Sequence, residues 1–137
     1  MRGKGFPTRH LRLAIFDDSP YVLKLVCDWF RQHHCAAAIV AKKLQACLDV
    51  ERFVSEHKPA VVVYDVPMRY ASRWDLLEII RAMPSLRSQP FVVTTRNKRQ
   101  LDQVVGRISA IEIAGEPEDL RRLLGAVEIA GTSVSER

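Results

Sequence analysis

Long apolar runs, paired cysteines and a glycine-rich phosphate loop are all missing from this chain. No stretch approaches the ~18 consecutive apolar residues of a membrane helix. The basic start, Met1-Arg2-Gly3-Lys4-Gly5-Phe6-Pro7, has no apolar segment behind it, which argues against a secretory signal and makes a cytoplasmic setting the expectation. Cys27, Cys35 and Cys47 are odd in number and lack CxxC spacing, and His10, His33, His34 and His57 do not complete a ligand pattern with them. Neither a disulfide framework nor a thiolate or imidazole metal site is expected. With no nucleotide-binding glycine motif and no serine or cysteine nucleophile beside a convincing base, hydrolase and oxidoreductase chemistry is disfavoured.

Net charge is also scarcer than it first looks. The formal value is +5, but Arg2, Lys4, Arg9 and Arg12 occur within the first twelve residues without any acid, which leaves the body near neutrality. A solvated tail over 1–10 explains the excess better than a nucleic-acid-binding arm. The 137 residues suffice for one domain with a single proper core.

What is present is alternation. Leu11 to Phe16 predicts a buried strand, and Ser19-Pro20 a helix start, with serine as N-cap and proline at the first helical position. Val22, Leu25, Val26 and Trp29 follow at helical spacing. Ala36 to Val40 predicts a weak second strand, and Ala46, Val50, Phe53 and Val54 mark the next helix. Ala60 to Tyr64 predicts a third strand; Leu76, Ile79, Ile80 and Met83 predict one face of the helix after it. Phe91 to Thr95 is a fourth strand, Asn97 to Val105 a short polar helix, Ile108 to Ile113 a fifth strand, and Leu120, Leu123, Leu124 and Val127 a fifth helix. Successive βα units imply a parallel sheet covered on both faces, with right-handed crossovers. The folded unit is expected over 11–130, with a polar, frayed end over 131–137.

Acids stand at the ends of two of these strands: Asp17-Asp18 after the first, Asp65 after the third. Ligands of open parallel sheets bind outside the carboxyl ends of the strands. Carboxylates delivered together to that rim repel one another unless a cation joins them.

The order and spacing of Asp17-Asp18-Ser19-Pro20, Asp65, Met68, Arg81 and Thr95 resemble the receiver domain of two-component response regulators, from about Leu11 to Ala130. The resemblance implies a flavodoxin-like, doubly wound (βα)5 sandwich with strand order 2-1-3-4-5. It further implies Asp65 as phosphoacceptor and Thr95 as the switch hydroxyl. Mg2+ would be held by Asp17, Asp18, Asp65 and the backbone carbonyl of Pro67. A sensor histidine kinase or phosphotransfer protein would be the partner, and a homodimer could form through the fourth helix, fifth strand and fifth helix.

Several positions depart from the receiver pattern. The lysine before a proline at the end of the fifth strand is replaced, at Ala114-Gly115-Glu116-Pro117, by Glu116, and no lysine follows Lys98. Arg96 follows Thr95 where a small residue is usual, and Arg69 and Arg73 replace a proline and a glycine. Two readings result. One is a pseudo-receiver that binds a partner independently of phosphorylation, with Arg96 or Arg69 supplying the missing positive charge. The other is a working receiver phosphorylated on Asp65; on either reading the chain is no enzyme beyond self-catalysed phosphoryl transfer. A third, a stand-alone adaptor or DNA-associated regulator acting through its basic surface, draws on Arg96, Lys98 and Arg99 with Arg121-Arg122.

Overall fold

The computed structural model describes residues 12–32, 38–43 and 47–135. Its strands are β1 (Arg12–Asp17), β2 (Ala38–Lys43), β3 (Val61–Val66), β4 (Phe91–Thr95) and β5 (Ala110–Glu112). The helices between and after them are α1 (Pro20–Gln32), α2 (Cys47–His57), α3 (Tyr70–Ala82), α4 (Lys98–Val105) and α5 (Pro117–Ser135), with a 3-10 turn at Pro84–Leu86. All strand pairs are parallel and the order is β2-β1-β3-β4-β5, as the resemblance implies. Among the described residues no helix is long and apolar enough to cross a membrane.

Side chains alternate across the sheet, so each strand feeds two cores. Ala14, Phe16, Val62, Tyr64 and Val93 pack against α2, α3 and α4 through Val50, Val54, Leu77, Ile80 and Leu101. Leu13, Ile15, Val61, Val63 and Val92 face α1 and α5, meeting Val26, Phe30, Leu120, Leu123 and Val127. Burial on both faces explains why β1 and β3 are almost uninterrupted apolar runs.

The boundaries move in instructive ways. β3 extends two residues beyond Tyr64 because β4 pairs with it there, Asp65 opposite Thr94 and Val66 opposite Thr95. Asp65 is therefore inside the strand, not after it. β5 shrinks to Ala110–Glu112, and α5 continues as helix to Ser135, past the composition change at Gly131. Ser19 caps α1 as expected, its Oγ accepting from the Val22 N–H at 3.2 Å. The buried stripe of α1 runs through Val26, Cys27 and Phe30, with Val22, Leu25 and Trp29 partly buried at its edge. In α3 the buried residues are Tyr70, Leu77 and Ile80, whereas Ile79 is exposed, because the stripe advances in steps of three and four from Tyr70. Cys27 is a free, buried thiol within the α1 core. Leu11, Cys35, Ala36 and Ala46 lie outside the described residues.

Candidate functional site

Phe16 and Tyr64 are register partners on β1 and β3, so the residues after them, Asp17 and Asp65, reach the sheet's carboxyl edge side by side. Both share the strand parity of the α1/α5 face. They line a pocket of about 530 Å³ together with Asp18, Pro67, Met68, Arg96 and Ile113. Asp17, Asp18, Asp65 and Pro67, the set that the resemblance implies, thus line one cavity.

The carboxylates are not equivalent. Asp17 is 5% exposed, and its Oδ1 accepts from the Ser19 N–H at 2.8 Å. Burial raises its pKa, against that hydrogen bond and the Arg96 guanidinium. Asp65 is pushed up to about 7, first by burial and then by the Asp17 charge; the Thr94 hydroxyl and Arg96 oppose the rise. Asp18 lies nearer solvent, 4.0 Å from the Arg73 guanidinium.

The hydroxyl at Asp65 is not the expected one. Thr94 Oγ1 donates to Asp65 Oδ1 at 2.8 Å, while Thr95, fully buried, donates to the Val66 carbonyl at 2.9 Å. Strand parity is the cause. Thr94 follows Val92 onto the acid face, and Thr95 follows Val93 into the opposite core.

Glu116 is also misplaced in the sequence-based assignment. It is exposed and does not line the acid pocket; it borders a separate pocket of about 230 Å³ with Leu25, Trp29 and Leu120. Its backbone N–H donates to Asp119 Oδ2 at 3.0 Å, and Pro117 is the first residue of α5. The proline is a helix-start residue, so aligning on it carried the register too far along the chain. From the end of β5 it is Ile113, 7% exposed, that lines the acid pocket, and it lines the one beside Glu116 as well. Sequence reasoning missed Thr94 and the place of Ile113 in the acid pocket, although the pleat could have found the former.

Of the two candidate arginines, Arg96 lines the pocket and acts on Asp17 and Asp65. Arg69 starts α3 in the left-handed region at φ 69° and does not line it. Arg81 is engaged elsewhere, paired with Glu78 at 2.6 Å and lying over the Trp74 ring.

The all-oxygen donor set suits a hard cation such as Mg2+, and buried negative charge that drives Asp65 upward is what a cation would relieve. The placement is less complete. Among the described residues no group of three His, Cys, Asp or Glu is gathered closely enough to hold a metal ion. Donor chemistry fits a hard cation.

No family model and no curated protein matches the sequence. Solved structures do match the fold. The chemotaxis response regulator CheY4 of Vibrio cholerae superposes with a TM-score of 0.59 at 16% identity, covering 86% of this chain and 98% of that one. The Francisella response regulator 1452 receiver domain gives 0.62 at 15%, covering 91% and 99%. A sensor protein from Polaromonas sp. JS666 gives 0.66 at 15%, covering 90% and 97%. At such identities the backbone is what is shared. With its strand order, crossovers and paired acids at the β1 and β3 ends, this chain has the fold of response regulator receiver domains.

Proposed function

We propose that the chain is a signalling module of the two-component type that binds its partner protein largely independently of phosphorylation. The observation that carries this reading is Ile113. The end of β5 brings an apolar side chain to the acid pocket, so no ammonium from that strand faces Asp65. Arg96, exposed on the rim, supplies positive charge instead. A guanidinium held there favours ionised Asp17 and Asp65 and competes with a divalent cation for them.

The alternative is a working receiver, favoured by the Thr94 hydroxyl on Asp65 and by Asp17 beside it. In that reaction a carboxylate oxygen of Asp65 attacks the phosphorus of the donor, the leaving group departs with the bonding electrons, and an acyl phosphate remains. Mg2+, held by Asp17, Asp18, Asp65 and the Pro67 carbonyl, would neutralise charge on the transferring group. Thr94 would then meet a phosphoryl oxygen. The donor would be a histidine kinase or phosphotransfer protein in the cytoplasm, and α4, β5 and α5 would offer a face for a homodimer.

Intact mass after incubation with Mg2+ and a small phosphodonor decides between the two, with Asp65→Ala as control. No gain in mass by a folded protein supports the binding module. A Mg2+-dependent gain of one phosphoryl group, absent from the control, overturns it in favour of the working receiver.

A further inference from the structure

Several basic side chains along the helices are matched about one turn away. Lys24 pairs with Asp28, Arg81 with Glu78, Lys98 with Asp102, Arg121 with Glu118 and Arg122 with Asp119, at 2.5–3.2 Å. Among the described residues Arg69, Arg96 and Arg99 lack such a partner, as do Arg52, Arg87 and Arg107 elsewhere, although Arg96 acts on Asp17 and Asp65 from the pocket rim. The first three are exposed.

Topology places them together. Val66 and Thr95 are register partners at the ends of β3 and β4, so the chain leaves the sheet there into adjacent loops. One loop carries Arg69 at the start of α3; the other carries Arg96, with Arg99 in the first turn of α4. The first turns of both helices lack an acid, and α3 has no side-chain cap. Cations there oppose the macrodipoles, whose positive ends favour an anion. Met68, 74% exposed, stands in the same β3–α3 loop.

We propose that the rim formed by the β3–α3 and β4–α4 loops is a docking surface for an acidic segment of a partner protein. Carboxylates of that segment meet Arg69, Arg96 and Arg99, and an apolar side chain beside them covers Met68. A nucleic acid fits less well. Its evenly charged backbone would have to pass Asp17, Asp18 and Asp65, which line the adjoining pocket, whereas a peptide can cluster its charges over the arginines. The inference rests on the reading of the chain as a binding module and names the chemistry of its partner.

The test is fluorescence anisotropy at low salt with a short labelled peptide of glutamate, aspartate and leucine. Saturable binding is expected, weakened about tenfold by Arg99→Glu and by Arg69→Glu. Arg121→Glu, which reverses the same charge on α5, is expected to leave it unchanged. Glutamate suits the first turn of α4, so Arg99→Glu should melt no earlier than the wild type. Absence of saturable binding, equal weakening by Arg121→Glu, or tighter binding of a DNA duplex under the same conditions overturns the proposal. The phosphorylation assay on the same variants reports on Asp65 separately, so failure of the docking surface and failure of the binding-module reading give different patterns.

Discussion

Asp119 and Asp65 are both largely withdrawn from water near the carboxyl edge of the sheet, and their surroundings treat them in opposite ways. Asp119, 3% exposed, accepts from the N–H groups of Ala114 at 2.8 Å and Glu116 at 3.0 Å and pairs with Arg122. Burial acts to raise its pKa, but these donors prevail and hold it below its ordinary value. Asp65 has the Thr94 hydroxyl, an adjacent Asp17, and Arg96 acting from the rim, and it rises to about 7. One carboxylate completes a loop and starts a helix. The other is raised because burial and Asp17 outweigh Thr94 and Arg96, a perturbation of the kind that clusters at functional sites.

Removing each acid should therefore have opposite consequences. Asp119→Ala leaves the Ala114 and Glu116 N–H groups without their partner and is expected to cost about 2–4 kcal/mol in urea unfolding. Its contribution is present above the ordinary carboxylate value of 3.8 and is lost as the pH falls through the lower, folded-state value. Asp65→Asn is expected to stabilise the fold at pH 8 by about 1–3 kcal/mol, with little effect at pH 4. The sign follows from proton uptake. Between 3.8 and about 7 the folded protein retains a proton that the unfolded chain has lost, so wild-type stability falls as pH rises through that window. A destabilised Asp65→Asn at pH 8 would mean that the charge is already compensated and would remove the contrast.

The comparison sharpens if a cation is built into the pocket. Ile113→Lys should sacrifice some packing in the α1/α5 core, yet bring an ammonium toward the acids. The expected result is a fall in the Asp65 pKa of about one unit or more, followed by carboxyl NMR titration. An unmoved Asp65 would mean that position 113 does not address the acids and would take away the main support for the binding-module reading.

How far the sequence could lead is visible in these residues. Buried strands flanked by turn chemistry made the alternating βα architecture legible, because that pattern is spread over many positions and tolerates a shifted boundary. The strand order and the meeting of Asp17 with Asp65 followed only from the resemblance to receiver domains. β3 ran two residues past its expected end without separating the acids. Single positions had no such tolerance. Pro117 served equally well as the companion of a switch residue and as the first residue of a helix, and only the backbone distinguishes the two. Glu116 was misassigned with it, and Ile113, an ordinary core residue by composition, was read only as the end of β5 and not as a residue of the acid pocket.

The adjacent threonines give the finest test, because they differ only in the face of the sheet they occupy. Thr94→Val removes the hydrogen bond to Asp65 and should raise its pKa further, by a fraction of a unit up to about one. Thr95→Val removes a hydrogen bond to the Val66 carbonyl inside the opposite core. It should cost about 1 kcal/mol of stability and leave the Asp65 titration where it was. If instead Thr95→Val moved Asp65 and Thr94→Val did not, the pleat of β4 would be reversed relative to β3. Val92 and Val93 would then exchange cores as well, a change that would appear as a far larger loss of stability than any single hydroxyl can produce.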